Sequence, residues 1–206
     1  AQKINQKCIN PIIIVVTNPL DVMSHLLFKT GRFQANQVIG MGGVSDCARF
    51  NMLVASELET TSCNIQSTII GAHGDSMLVL PRLCTVSGIP VTDLLAQDKI
   101  NYIIEQTCNF GAKIVELLGQ GSAYYGPAAG IFQLVDAIIN DRKKILCAST
   151  YLEGQYGLEN IFLGIPVKIG RFGIEEIIEL DLTAEEKKKL LYSANKVQES
   201  IKKLGV

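Results

Sequence analysis

A run of five consecutive aliphatic residues, Ile12–Val16, constrains the fold of this chain more than any other feature. A strand that is apolar at every position must bury both faces, as strands do in parallel sheets covered by helices. Pro19 ends the strand, because proline lacks an N–H donor and restricts the residue before it. The run is far shorter than the roughly 20 apolar residues that span a bilayer. The chain is therefore predicted to contain a buried parallel sheet.

Two amphipathic helices are predicted to follow this strand. The segment that begins at Leu20 has apolar residues at helical spacing and stops at Thr30–Arg32. A short strand then runs from Val38 into the glycine-rich turn 40–43, and the segment 44–58 again has helical periodicity. We expect the first helix to pack on the sheet.

The second half of the chain is predicted to hold a hairpin, three helices and an antiparallel meander. The hairpin turns at Ser87-Gly88, and a long helix over 98–118 is closed by Gly119 and Gly121. A capping box of Thr183 and Glu186 precedes the last helix. The predicted meander comprises 145–152, 161–170 and 173–180.

The last two predicted helices each have an apolar face that we expect to be buried. These faces comprise Ile131, Leu134, Val135, Ile138 and Ile139 in the helix before the meander, and Leu190, Leu191, Ala194, Val197, Ile201 and Leu204 in the final helix.

The composition indicates a globular protein and argues against several function classes. The 206 residues are 48% hydrophobic and 19% charged, with a net charge of −1. Nothing in this balance favours binding to nucleic acid or to an anionic membrane surface. The six cysteines are dispersed, without a Cys-x-x-Cys pair, which argues against a zinc site. Such cysteines are typical of buried thiols in a reducing compartment, so we predict the cytosol, although their even number leaves secretion open.

His73 is one of only two histidines in the chain. It follows the strand-like run Thr68–Ile70, and Gly71 and Gly74 make its surroundings loop-like. An imidazole on such a loop can exchange a proton near neutral pH. By itself, this pattern fits equally well a structural histidine beside a turn. His25, inside the first predicted helix, is interpreted as structural because no polar partner is in evidence.

Asp46 and Arg49 lie three residues apart and are predicted to project from one stripe of the second helix. A carboxylate can orient an imidazole, and a guanidinium can grip a carboxylate through two parallel hydrogen bonds. With His73, the pair would suit a small carboxylate substrate. The alternative is a solvated ion pair worth less than about 1 kcal/mol.

A hydrolase is a weaker alternative for the same histidine. Ser45 or Ser76 could act as a nucleophile beside His73. The chain has no G-x-S-x-G motif, which is the usual setting of a nucleophilic serine on an α/β fold.

Five short motifs stand out along the chain. They are V-T-N-P-L-D (16–21), G-V-S-D-C-A-R-F (43–50), G-A-H-G-D-S-M (71–77), G-S-A-Y-Y-G-P-A (121–128) and Y-L-E-G-Q-Y-G (151–157). Together they resemble the lactate/malate dehydrogenase family, in the family's order and spacing. The resemblance implies an α/β fold in which residues 1–42 are the remnant of a doubly wound (Rossmann) parallel sheet. Residues 43–206 would form the family's α+β C-terminal substrate domain, and an upstream part would be missing.

The resemblance also implies roles for individual residues. His73 would be the proton donor and acceptor, Asp46 its partner, and both would be catalytic. Arg49 would anchor the substrate carboxylate, and Asn18 would hydrogen-bond near the substrate and the nicotinamide. The residues that line the NAD cofactor would be Val16, Thr17 and Asn18.

The implied reaction is the NAD-dependent oxidation of a 2-hydroxy acid, in which His73 accepts the hydroxyl proton as hydride leaves C2. The malate branch fits better than the lactate branch, because Ala123 stands where lactate enzymes tend to carry threonine. The partners implied are a small dicarboxylate or 2-oxo acid and further copies of the chain in a homodimer or homotetramer, with no metal, nucleic acid or membrane. Lactate dehydrogenase and a catalytically silent fragment with an exposed sheet edge remain alternatives.

Several features of the family pattern are absent or altered. No G-x-G-x-x-G motif occurs, so the phosphate-binding turn is absent from this chain, as are the acidic residue for the adenosine ribose and a second substrate-side arginine. Val79 replaces a usual proline and is expected to loosen the loop of His73. The other departures are Gly42, Ser45, Cys47, Leu78 and Gly126.

Overall fold

A computed structural model of the protein describes residues 1–120 and 123–205. Short 3-10 turns occur at Ala35–Gln37, Ser62–Asn64, Pro81–Leu83 and Gln155–Gly157. The helices are α1 (Gln2–Lys7), α2 (Leu20–Gly31), α3 (Gly42–Glu57), α4 (Val91–Leu94), α5 (Gln97–Leu118), α6 (Tyr125–Ile139) and α7 (Ala184–Leu204). The strands are β1 (Ile13–Val15), β2 (Val38–Gly40), β3 (Ile65–Gln66), β4 (Ile69–Ile70), β5 (Leu78–Val79), β6 (Thr85–Val86), β7 (Ile89–Pro90), β8 (Lys144–Glu153), β9 (Glu159–Gly170) and β10 (Gly173–Ile177).

The central sheet has five strands in the order β1-β2-β8-β9-β10. Strands β1 and β2 are parallel, with Ile14 opposite Ile39, and every other neighbouring pair in this sheet is antiparallel. Strands β8, β9 and β10 form the predicted meander. The α/β class is therefore confirmed, and the parallel pair fits the remnant of a doubly wound sheet.

Strand β1 is less buried than its sequence predicts. Within Ile13–Val15 only Val15 is buried, and the adjoining Val16 is 40% exposed. The prediction that both faces are buried is thus wrong in part. The reason is that β1 lies at the edge of the sheet, with β2 as its one neighbour among the described strands.

Two apolar cores hold the helices in place. The main core lies where α3, α6 and α7 pack on β8 and β9, around residues such as Leu134, Leu163 and Leu190. A second core lies between α3 and α5, where Phe50 and Ile100 are fully buried. Helix α3 therefore packs on both sides, which fixes the orientation of its remaining faces.

Local signals in the sequence are confirmed at the hairpin and at the last helix. Ser87 and Gly88 both have positive φ, at 50° and 87°, which is the conformation of a two-residue hairpin turn. The Thr183 hydroxyl accepts from the N–H of Glu186, and the Thr183 N–H donates to the Glu186 carboxylate. The capping box thus begins α7 as predicted.

Other predictions of burial are wrong. Ile139, Leu191 and Leu204 were expected on buried faces but are 75%, 38% and 49% exposed, because no described element covers those positions. Two of the cysteines predicted to be buried, Cys8 and Cys63, are exposed, and all six thiols are free.

Two helix boundaries also bear on the predictions. Helix α3 begins at Gly42, within the segment predicted as a glycine-rich turn. Helix α5 ends at Leu118 and is closed by Gly119, which has a φ of +66°, as predicted, whereas Gly121 lies outside the described residues. Among the helices described, none is long and apolar enough to cross a membrane.

The proposed domain division at residue 42 stays a prediction. Strand β2 lies before this boundary, yet it pairs with β8 through Gly40 and Ser149. The two predicted domains therefore share the central sheet.

Candidate active site

Three consecutive main-chain N–H groups fix the loop that carries His73. The loop follows β4, where Gly71 has a φ of +91°, a conformation that residues with side chains rarely adopt. The acceptors lie on β9, α7 and α2, so three separate elements hold the loop. The hydrogen bonds are Gly71 N–H to Gly164 O, Ala72 N–H to Ser193 Oγ and His73 N–H to Asp21 Oδ2, each 2.8 Å long.

The carboxylate of Asp46 joins the two other residues of the predicted set. Its Oδ2 lies 2.8 Å from Nδ1 of His73, and its Oδ1 accepts from Nη1 of Arg49 at 3.1 Å. The side chain of Asp46 is 3% exposed, and those of His73 and Arg49 are 15% and 16% exposed. The structure thus brings together the three side chains that the sequence indicated as one group.

A close approach between α3 and the imidazole makes this geometry possible. A Cβ atom at Gly42 would lie 2.6 Å from Cβ of His73 and 2.7 Å from its Cγ. These distances are far below the roughly 3.5 Å at which two carbon atoms pack. Glycine at this position lets the first turn of α3 lie against the histidine, and Asp46 follows one turn later.

The surroundings of His73 favour its protonated form. Burial lowers the pKa of the imidazole, but the hydrogen bond and the negative charge of Asp46 outweigh that effect and raise the pKa above its ordinary value of 6.5. Arg49 acts against this rise, and Asp21 adds to it. Since Nδ1 is engaged by Asp46, Nε2 is the nitrogen left to exchange a proton with a substrate.

Residues 16–18 lie at the carboxyl end of β1, and all three are exposed. Within the described residues, the side chain of Asn18 hydrogen-bonds no other group, His73 included. The connection runs through α2, which begins two residues after Asn18 and carries Asp21 to the His73 loop.

A sequence profile for the lactate/malate dehydrogenase alpha/beta C-terminal domain matches residues 45–205, a range that includes Asp46, Arg49 and His73. The chain belongs to the lactate/malate dehydrogenase family. The malate dehydrogenase of Chlorobium phaeobacteroides is 46% identical over 195 residues, which are 95% of this chain and 63% of that protein. The chain therefore spans less than two thirds of the length of this family member.

Solved structures of the family have the same fold. The malate dehydrogenase from Aeropyrum pernix superposes with a TM-score of 0.95 at 37% identity, over 98% of this chain and 67% of that one. A lactate dehydrogenase from Eimeria maxima, solved with NADH and oxamate, superposes with a TM-score of 0.95 at 40% identity, over 98% of this chain and 62% of that one. Both branches of the family thus share this architecture.

The residues that orient the His73 loop are those that sequence reasoning missed. Asp21, Ser149 and Ser193 are all buried, and each hydrogen-bonds the loop or a group that holds it. Asp21 is part of the V-T-N-P-L-D motif, but the motif assigns it no partner. A charged residue among the apolar positions that begin α2 was the one signal that could have indicated its role.

The hydrolase alternative receives no support from the geometry. A nucleophilic serine should lie within hydrogen-bond reach of its base. Among the described residues, the side chain of His73 hydrogen-bonds Asp46 and neither Ser45 nor Ser76; the Ser76 hydroxyl instead accepts from Ser193.

The two histidines should titrate on opposite sides of pH 6.5. Burial lowers the pKa of His25, and the charge of Lys29 lowers it further, whereas the pKa of His73 is raised. Nδ1 of His25 is buried without a partner, which also disfavours a charged ring. Proton NMR titration of the two imidazole C2–H signals checks this prediction. In His73→Asn only the His25 signal remains, which assigns both signals.

The opposite shifts have opposite effects on stability. Unfolded His25 binds a proton more readily than folded His25, so it destabilises the fold as pH falls below 6.5. His73 stabilises the fold below pH 6.5, and this contribution is lost as pH rises through its raised pKa. Two titrations that coincide at pH 6.5 would contradict both assignments.

Proposed function

We propose that the chain is the C-terminal part of an NAD-dependent malate dehydrogenase. Residues 1–42 would end its dinucleotide-binding domain, and residues 43–206 would form its substrate domain. The observation that carries the proposal is the buried carboxylate of Asp46, which contacts the imidazole of His73 with one oxygen and the guanidinium of Arg49 with the other. This arrangement combines a proton carrier with a cation that suits a carboxylate substrate.

In this proposal His73 carries the proton. Asp46 holds Nδ1, so that Nε2 takes the proton from the C2 hydroxyl of malate while the C2 hydride leaves. NAD⁺, when bound, supplies the acceptor for that hydride, and the products are oxaloacetate, NADH and a proton held on His73. In the reverse direction the imidazolium donates its proton to the carbonyl oxygen of oxaloacetate. Asp46 assists because its charge favours the imidazolium form.

Arg49 would bind the substrate carboxylate. A guanidinium presents several N–H donors in one plane, so it can hold Asp46 through Nη1 and still bind a second carboxylate. Space is available on the side of α5: a Cβ atom at Gly111 would lie 3.5 Å from Nη2 of Arg49, which is ordinary contact. The glycine leaves that side of the guanidinium without a side chain.

The residues proposed to line the cofactor lie where one end of a dinucleotide would bind. Residues 16–18 are exposed at the carboxyl end of β1, beside the parallel strand β2. Dinucleotides bind at the carboxyl ends of parallel strands in open α/β sheets. In this proposal Val16 and Thr17 line the nicotinamide end, and Asn18 hydrogen-bonds near both the nicotinamide and the substrate.

Two observations favour malate over lactate as the substrate. The C. phaeobacteroides protein, at 46% identity, is a malate dehydrogenase. By the family resemblance, Ala123 stands where lactate enzymes tend to carry threonine, and the smaller side chain would leave room for a longer substrate. Lactate dehydrogenase remains the second candidate, because the E. maxima enzyme has the same fold at 40% identity.

The test joins the chain to the N-terminal part of each relative, which is the part that the chain does not cover. Residues 1–206 are joined to the N-terminal part of the C. phaeobacteroides malate dehydrogenase, and this fusion is called "the joined enzyme". A second fusion joins residues 1–206 to the N-terminal part of the E. maxima lactate dehydrogenase. NADH consumption is followed with oxaloacetate and with pyruvate. We expect the joined enzyme to reduce oxaloacetate rapidly and the second fusion to reduce pyruvate poorly. The reverse pattern would favour the lactate branch, and no turnover by either fusion would contradict the proposal.

The isolated chain serves as the third sample and tests the silent-fragment alternative. NADH oxidation by residues 1–206 alone would refute it. The edge of β1 and the exposed side chain of Ile9, 95% accessible, are features of a surface that pairs with further protein.

The proposed enzyme is a homodimer or homotetramer in the cytosol. Tyr125, Phe132 and Ile139 are 92%, 69% and 75% exposed and recur every seven residues along α6, so they form one apolar stripe. Such a stripe is typical of an interaction surface. The six free thiols are typical of a reducing compartment.

A further inference from the structure

The carboxylate of Asp21 is a second buried acid beside the catalytic histidine. Asp21 is 3% exposed, its Oδ2 accepts from the main-chain N–H of His73 at 2.8 Å, and its Oδ1 accepts from the hydroxyl of Ser149 at 2.6 Å. Both oxygens are therefore used. It lies in the first turn of α2, three residues after Asn18.

We propose that Asp21 is a positioning residue, which holds the main chain of His73 against the start of α2 and thereby sets the imidazole relative to Asn18. This inference rests on the proposed function, in which His73 and Asn18 act on one substrate. Asp46 orients the ring of His73 from α3, and Asp21 holds its backbone from α2. Ser149 on β8 fixes the rotamer of Asp21 in turn.

The energetics support a specific role for this carboxylate. A buried charge is costly unless it is well hydrogen-bonded, so a site that needed only an acceptor for one N–H would use a neutral group at lower cost. Burial raises the pKa of Asp21, and its bonds from Ser149 and His73 oppose that rise. The charged groups that face His73 are Asp46, Arg49 and Asp21, and the charge of Asp21 raises the pKa of His73.

The test uses the 206-residue chain and needs no turnover, so its outcome is independent of the proposed reaction. Asp21→Ala removes the acceptor, Asp21→Asn keeps an acceptor without the charge, and Asp75→Asn is the matched control. Asp75 lies on the same loop, but its side chain is 81% exposed and pairs with Lys196. The readouts are the NMR titration of His73 and the hydrogen-exchange rate of its N–H.

We expect Asp21→Ala to speed exchange of the His73 N–H by at least about 10-fold, because a protecting hydrogen bond is lost. Asp21→Asn should preserve most of this protection and lower the pKa of His73. Asp75→Asn should change neither quantity. The proposal is overturned if both Asp21 variants leave the exchange rate and the pKa of His73 unchanged, as Asp75→Asn should. If the alanine variant does not fold, Asp21→Asn still provides the test through the pKa of His73.

A separate observation concerns two thiols on the other side of α3. A Cβ atom at Gly43 would lie 3.0 Å from Cβ of Cys147, so α3 lies directly on β8 at this point. Cys47 follows Gly43 by four residues and shares its face of the helix. Cys47 and Cys147 line the same groove, of about 1000 Å³.

We infer that Cys47 and Cys147 form a site of reversible oxidation, at which a peroxide converts the pair into a disulfide between α3 and β8. The Cys147 thiolate attacks one peroxide oxygen, the O–O bond breaks, and a sulfenic acid and one water result. The Cys47 sulfur then attacks the sulfur of Cys147, the S–S bond forms, and a second water leaves. The two thiols lose two electrons, which reduce the peroxide.

The pKa values of the two thiols are shifted in opposite directions, as the proposed order of the two steps requires. The neighbouring Cys47 thiol lowers the pKa of Cys147 and outweighs the opposite effect of burial. The neighbouring Cys147 thiol and burial both raise the pKa of Cys47. Cys147 is therefore the sulfur that ionises first and reacts first with peroxide.

Peptide mapping tests this inference directly. After hydrogen peroxide, free thiols are blocked and the chain is cut with trypsin, which leaves Cys47 in peptide 33–49 and Cys147 in peptide 145–168, each with a single cysteine. We expect these two peptides to be linked, and dithiothreitol to separate them. In Cys47→Ser the sulfenic acid of Cys147 should persist and react with dimedone. Unreacted Cys147, or a preferred link through the exposed Cys8 or Cys63, would overturn the inference.

Discussion

Replacing His73 with asparagine in the joined enzyme is expected to lower kcat for oxaloacetate reduction by about 10²–10⁴-fold, the usual contribution of a positioned acid or base. Asparagine can still hydrogen-bond Asp46, but it cannot carry a proton between pH 5 and 9. NADH binding should change little, because residues 16–18 and the joined N-terminal part are untouched. Steady-state kinetics and NADH fluorescence titration measure the two effects separately.

Cys63→Ser is the control for this variant, because Cys63 is exposed and lies outside the site. It should keep the activity of the unmodified joined enzyme. Turnover by His73→Asn close to that of the control would remove His73 from the mechanism. Equal loss of NADH binding and turnover would indicate a damaged fold instead, and a thermal melt followed by circular dichroism identifies that case.

Replacing Asp46 with asparagine should lower kcat by about 10²-fold or more and also lower the pKa of His73. The hydrogen bond and the charge of Asp46 are the two largest contributions that raise that pKa, and the amide retains at most the first of them. The pH dependence of oxaloacetate reduction should therefore shift to lower pH, because the reaction requires the imidazolium. NMR titration of His73 in the isolated chain checks the shift without turnover.

Asp136→Asn is the matched control, since Asp136 forms an ion pair with Arg142 on the surface of α6, away from His73. It should alter neither kcat nor the titration of His73. If Asp46→Asn left the pKa of His73 unchanged, the contact between Asp46 and His73 would not determine the charge of the imidazole. The double variant His73→Asn with Asp46→Asn should lower kcat little more than His73→Asn alone, because the effects of residues that act as a unit are not additive.

The site was predictable from the sequence only in its local part. Helical periodicity indicated that Asp46 and Arg49 share a stripe, and the structure joins them at 3.1 Å. No periodicity could bring His73, 27 residues later, to Asp46, and the resemblance to the family supplied that link. Gly42 shows why the sequence pattern was insufficient. The lack of a side chain at this position matters only because the imidazole of His73 lies against it, and that contact is tertiary.

The sequence by itself determined those features whose interactions span a few residues. The capping box of α7, the two-residue turn at Ser87-Gly88 and the shared stripe of Asp46 and Arg49 depend on local backbone geometry, so short patterns indicate them. Tertiary structure alone decided that Asp21 meets Ser149 across 128 residues, and that Ile139 faces solvent. The physical reason is that periodicity states which residues share a face of a helix or strand, whereas the packing of distant elements decides what covers that face.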